Sequence, residues 1–166
     1  RFKAINPVVK APSFICDDGT VLMDSTLILD YLESTVPPGR RLMPAGVEAR
    51  KEALRLIGLA MAGCEKGVSL LYERDKRPAE KQHQPWLDRV TEQANAAFGE
   101  LERAAAKAGP WLQGKEFNAA DVAVACAWRF AQYYDAAEIP AARYPALVAY
   151  SARAEALPEF ASTPLD

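Results

Sequence analysis

The residues of this chain whose types and spacing could do chemistry are few, and most of them lie near its start. Asp24-Ser25 stands where a helix is predicted to begin, and a helix start offers free N–H groups and a positive dipole suited to a carboxylate. Lys10, in the loop before a predicted hairpin, adds a cation. The same residues also have a purely local reading: Ser25 caps its own helix, Asp24 favours the dipole, and Pro12 opens an edge strand. The three cysteines, Cys16, Cys64 and Cys126, form no CxxC pair and sit far apart among apolar residues, which suggests neither a disulfide framework nor a zinc site. Each reads as a small buried hydrophobe, none as a nucleophile, and the simplest compartment is a reducing cytoplasm. His83, the one histidine, lies in the polar run Glu80 to Gln84 without a nucleophile or metal partner, and reads as a solvated helix residue. No metal site is expected.

The elements that must position these groups fall into two blocks. From Ser13 to Met23 the pattern is a hairpin, with Phe14, Ile15 and Cys16 before Asp17-Asp18-Gly19 and Val21, Leu22 and Met23 after it. Asp-Gly is expected to supply the positive φ angles of a tight reversal. A helix capped by Ser25 follows, carrying Leu27, Ile28, Tyr31 and Leu32, and Pro37-Pro38-Gly39 stops it. After a turn-rich stretch the pattern becomes entirely helical. Leu54, Ile57, Met61, Cys64, Val68 and Leu71 predict one apolar stripe on a helix from about Val47 to Lys76. Gly58, Gly63 and Gly67 would weaken that helix in isolation but permit close packing.

A second stripe, Leu87, Val90, Ala94, Phe98, Leu101 and Ala105, predicts another long helix, entered near Pro85-Trp86 and closed by Gly109-Pro110. A third helix starts at Asn118, and a fourth follows Pro145 with Leu147, Val148 and Ala154. The predicted fold class is α+β overall and mostly α: a ββα unit over residues 1–36, a linker over 37–46, and an all-α bundle over 47–166.

Composition agrees with folded globular structure, since half of the residues are hydrophobic and a quarter charged. A net charge of −2 gives no general attraction to nucleic acid or to an anionic bilayer. Residues Arg1 to Lys10 hold neither a long apolar run nor a cleavage site, and no stretch approaches the ~20 apolar residues of a membrane span. Without an initiator Met, the chain reads as part of a longer protein.

The residues at the junctions narrow the choice. Asn6-Pro7-Val8-Val9-Lys10-Ala11-Pro12 before the hairpin, Asp17-Asp18-Gly19-Thr20 within it and Met23-Asp24-Ser25 after it resemble the glutathione-binding half of bacterial glutathione transferases. Gly114-Lys115-Glu116-Phe117-Asn118-Ala119-Ala120-Asp121 resembles that family's G-x-x-F-S/T-x-A-D segment, and Tyr144-Pro145 to Phe160 its C-terminal helix. The resemblance implies a thioredoxin-like first domain whose preceding βαβ unit lies outside this sequence. It also implies a cis peptide bond into Pro12, with the main chain of Ala11 pairing with the cysteinyl segment of glutathione. Asp24 would then face the γ-glutamyl ammonium, Ser25 and its helix start the γ-glutamyl carboxylate, and Lys10 the glycyl carboxylate. Asn6 and Pro7 are expected to shape the loop without touching the ligand.

By the same resemblance, the partners are glutathione and a small electrophile, the assembly is a homodimer, and the reaction is attack by the glutathione thiolate. A Ser, Tyr or Cys of the preceding unit would activate the thiol. Ser or Tyr implies conjugation, and Cys implies thiol transfer through a mixed disulfide. Tyr72, Arg74 and Trp128 are the cosubstrate-pocket candidates. Asn118 and Asp121 are assigned to a capping box, with Phe117 and Val122 as its hydrophobic staple, worth on the order of 1 kcal/mol. The competing reading is a domain of the same fold without turnover, acting as a scaffold or regulatory binding module.

Overall fold

The computed structural model describes residues 1–165 and divides the chain into two compact units, the first ending at Leu42 and the second beginning at Met43. The first unit opens with a single helical turn, α1 (Phe2–Ile5), followed by strands β1 (Ser13–Ile15) and β2 (Val21–Met23) and helix α2 (Ser25–Thr35). The strands are antiparallel, with Ser13 opposite Met23 and Ile15 opposite Val21. Only Gly19 of the reversal takes a positive φ, 86°. The Cys16 carbonyl accepts from the Gly19 N–H and the Thr20 carbonyl from the Cys16 N–H, so three residues make the loop rather than an Asp-Gly pair. Asp18 completes it by accepting from the Thr20 N–H at 2.9 Å.

Helix α2 is capped one residue earlier than expected. Asp24, not Ser25, is the N-cap, and its Oδ1 accepts from the Thr26 N–H at 3.1 Å. The physical reason is reach: a cap must lie outside the helix and fold its oxygen back onto N2, and Ser25 already has a helical backbone. The unit is thinly cored. Ile28 and Asn6 are its buried residues among those described, while Leu27, Leu29 and Tyr31 of α2 are exposed.

The second unit is a bundle of four long helices with a short fifth: α3 (Val47–Lys76), α4 (Gln84–Lys107), α5 (Ala119–Tyr134), α6 (Pro145–Glu155) and α7 (Pro158–Ala161). Helix α3 packs against α4 and α5, which both meet α6. The stripe on α4 buries Val90, Ala94, Ala97, Phe98, Leu101 and Ala105, close to the predicted one.

The face of α3 differs from the expectation. Its buried residues are Ala53, Leu56, Ala60, Gly63, Gly67, Leu70 and Glu73, whereas Leu54 and Met61 are exposed. Close approach decides this: a Cβ on Gly63 would stand 3.0 Å from the Phe98 ring, so the bundle selects small residues where another helix comes near.

Trp128 belongs to this core. At 3% exposure it lies edge-on to Phe98 and Tyr144, with ring centroids 5.7 and 5.5 Å away, so it fills the bundle instead of lining a pocket. Among the described residues, no helix is long and apolar enough to cross a membrane.

Candidate functional site

In the first unit, the loop before β1 and the tip of α2 come together. The peptide bond from Ala11 to Pro12 is cis, as expected. Lys10 Nζ lies 2.8 Å from Asp24 Oδ2, which joins the loop to the helix start through two half-exposed side chains. The Lys10 hydrogen bond, followed by the Thr26 N–H, holds the Asp24 carboxyl below its ordinary value. Asp24 also has a left-handed backbone, with φ at 73°. Ser25 is exposed as the first helical residue, a position whose N–H has no partner in the helical ladder. One small surface region therefore carries a cation, an anion, a helix tip and the main chain of Ala11.

Sequence reasoning placed Asn6 as a turn residue and missed its burial. Its Nδ2 donates to the Lys10 carbonyl at 3.1 Å, to Ser13 Oγ at 2.9 Å and toward Met23 Sδ at 3.6 Å, while its Oδ1 accepts from the Val8 N–H at 3.0 Å. Asn followed by Pro before an extended segment signals a turn, but nothing in that dipeptide reports how many groups the amide will hold.

The candidates of the second unit separate. Tyr72 is 59% exposed. Arg74 is a structural brace: its Nη2 donates to the Tyr134 carbonyl at 2.8 Å and reaches Asp135 at 3.3 Å, and its Nη1 lies 2.8 Å from Glu138. That guanidinium closes the C-terminal end of α5 and is not free for a ligand.

Asp135 is fully buried, and burial, its largest influence, raises its carboxyl to about 6 despite Arg74. The charged run Glu73 to Arg77 is not wholly solvated: Glu73 is buried, pairs with Arg77 at 3.0 Å and accepts from the His83 N–H at 3.0 Å. His83 itself stands exposed before α4 without a side-chain cap bond.

Asn118 and Asp121 do form the capping box. Asp121 does more than cap: Oδ2 accepts from the Asn118 N–H, and Oδ1 accepts from the Leu112 N–H and the Tyr150 hydroxyl, each at 2.9 Å. The Phe117 ring meets Trp111 and Phe160. The expectation of about 1 kcal/mol understates a fully buried carboxylate with three donors.

The cysteines are less buried than their apolar neighbours suggest: Cys16 and Cys64 are half-buried and Cys126 is exposed. Desolvation nevertheless raises the Cys64 thiol to about 11 and the Cys126 thiol above its ordinary value, which disfavours the thiolate at both.

Two family models match the chain, the glutathione S-transferase N-terminal domain over residues 1–40 and the glutathione S-transferase C-terminal domain over residues 84–153. A Drosophila melanogaster protein described as a probable maleylacetoacetate isomerase is 29% identical over 166 residues, 98% of this chain and 63% of the relative. The chain thus spans less than two thirds of that relative's length. Among solved structures, a glutathione transferase family member from Pseudomonas fluorescens with bound glutathione is 29% identical, with a TM-score of 0.85 over 98% of this chain and 78% of that one. A glutathione S-transferase from Methylobacterium radiotolerans in complex with glutathione sulfonate is 26% identical, with a TM-score of 0.88 over 99% and 79%.

Proposed function

The chain belongs to the glutathione S-transferase family, and from that premise we propose that it binds glutathione in the cradle of Lys10, Ala11, Pro12, Asp24 and Ser25 and transfers the glutathione thiolate to an apolar electrophile. The observation that carries this reading is the contact of Lys10 Nζ with Asp24 Oδ2 at the tip of α2. Two exposed opposite charges beside a helix start and an open stretch of main chain suit a peptide that is itself a zwitterion. Asp24 takes the γ-glutamyl ammonium, the Ser25 amide and hydroxyl take the γ-glutamyl carboxylate, and Lys10 takes the glycyl carboxylate. Ala11 pairs through its backbone with the cysteinyl segment, which leaves the sulfur free to react.

Chemistry at that sulfur needs the thiolate, and the cradle prepares for it by fixing both charged ends of the tripeptide. None of the three cysteines is assigned as a nucleophile. The activating Ser, Tyr or Cys is assigned to the preceding βαβ unit of the family fold, and its identity decides between conjugation and thiol transfer. Tyr72 is the remaining cosubstrate candidate of the helical unit. Homodimerisation is part of this reading, with the exposed apolar residues Leu27 and Leu29 of α2 and Leu54 and Met61 of α3 as contributors.

Calorimetric titration of the full-length protein with glutathione tests the assignment. Binding at millimolar concentration or tighter is expected, weakened about tenfold or more by Asp24→Ala and by Ser25→Ala, the loss typical of a charge-assisted hydrogen bond. Wild-type binding that both variants leave intact would favour the non-catalytic module. The description of the Drosophila relative offers a second reading, isomerisation, for which glutathione would be recovered unchanged instead of consumed.

A further inference from the structure

We propose that Asn6 is the positioning residue of the glutathione cradle, acting on the ligand only through the main chain it holds. The inference rests on the glutathione reading above and assigns a task to a residue that touches no ligand. Asn6 is 1% exposed, the most buried residue of the first unit, and every polar atom of its side chain is engaged. Its two amide hydrogens serve the residues on either side of the Ala11-Pro12 bond, the Lys10 carbonyl and the Ser13 hydroxyl. The Ser13 hydroxyl in turn donates to the same Lys10 carbonyl at 3.0 Å. These bonds close a ring around the main chain on which a peptide ligand would pair.

Three further contacts extend the hold. Asn6 Nδ2 also approaches Met23 Sδ, and Met23 immediately precedes Asp24, so one side chain meets both halves of the cradle. On the other side, the Asn6 carbonyl accepts from the Val9 N–H at 2.9 Å and Oδ1 from the Val8 N–H. Val9 has φ at 58°, an unfavourable conformation for a β-branched residue that survives only when its surroundings impose it. Asn6 supplies that constraint next to Lys10, the proposed carboxylate-binding side chain. A cradle built on a short loop over a thin core would otherwise sample many shapes, and Asn6 restricts them before the ligand arrives.

Steady-state kinetics and glutathione titration of Asn6→Ala and Ser13→Ala separate positioning from simple support. For Asn6→Ala the glutathione KM and Kd should rise tenfold or more, while kcat at saturating glutathione and the electrophile KM stay within about twofold of wild type. Ser13→Ala, which removes only the relay hydroxyl, should raise the glutathione KM about threefold. A merely structural role would lower kcat by reducing the folded fraction and leave the glutathione KM unchanged, and that result overturns the proposal. Should Asn6→Ala fail to fold, Ser13→Ala decides alone, an unchanged KM counting against the inference. If wild-type protein binds no glutathione, the functional reading fails first, and that failure is visible without either variant.

Discussion

Two helices of this chain carry an aspartate at their start, Asp24 at the N-cap of α2 and Asp121 in the first turn of α5, and the two do different work. At α2, Asp24 caps Thr26 with one oxygen and holds the half-exposed Lys10 with the other. At α5, Asp121 is fully buried and serves two backbone N–H groups and the Tyr150 hydroxyl. A carboxylate whose partner is a flexible exposed lysine can exchange that partner for a ligand. One enclosed by three fixed donors cannot, because leaving would strand each donor without water. Residue type is therefore a poor guide to function at a helix start; what remains free after folding decides.

Asp121→Ala gives the most direct way to break this comparison. It strands three buried donors, so the protein should lose about 3 kcal/mol or more and melt roughly 10 °C lower, with glutathione affinity unchanged below the melting range. Loss of binding with unaltered melting would show that the buried start also serves the ligand.

Asp135 sharpens the contrast, since it is fully buried like Asp121, and its Oδ2 has no hydrogen-bond partner. Its folded value of about 6 lies above the ordinary 3.8, so the folded protein holds the proton more tightly than the unfolded chain. The associated stability is full below about pH 4 and is lost as pH rises through about 6, on the order of 3 kcal/mol. Melting followed from pH 4 to 7 should show this decline, and Asp135→Asn should flatten it.

A smaller effect is expected on α3. A Cβ on Gly67 would stand 2.5 Å from Asp135 Oδ2 and 3.1 Å from the Phe130 ring, whereas one on Gly58 meets nothing within 4 Å. Gly67→Ala should cost about 1 kcal/mol net, and Gly58→Ala should gain somewhat less than that, both measurable by chemical denaturation.

The glycine pair also shows where the sequence was legible and where it was not. Boundaries were readable because they are local: Gly19 turns the hairpin, the prolines at 85 and 145 open helices, and Asn118 and Asp121 mark a helix start. The buried face of α3 was not, because counting large apolar residues favours Leu54 and Met61 over Ala60, Gly63 and Gly67, and only the neighbouring helices reveal that space is short. Trp128 and Arg74 look alike in sequence as cleft candidates, yet one fills the core and the other ties down the end of α5, through partners about 60 positions away. For the proposed cradle, Lys10, Asp24 and Ser25 could be singled out from motif order. The network of Asn6 was not, since it links residues up to 17 positions apart.

The small-residue face of α3 also sets rules for anyone reshaping this protein. Enlarging Gly63 or Gly67 is closed off by the ring and carboxylate they face, so variants of the bundle must draw their diversity from elsewhere. On the opposite side of the same helix Val47, 80% exposed, is open to polar replacement without disturbing the interior, whereas Leu54 and Met61 are reserved for the proposed contact between subunits.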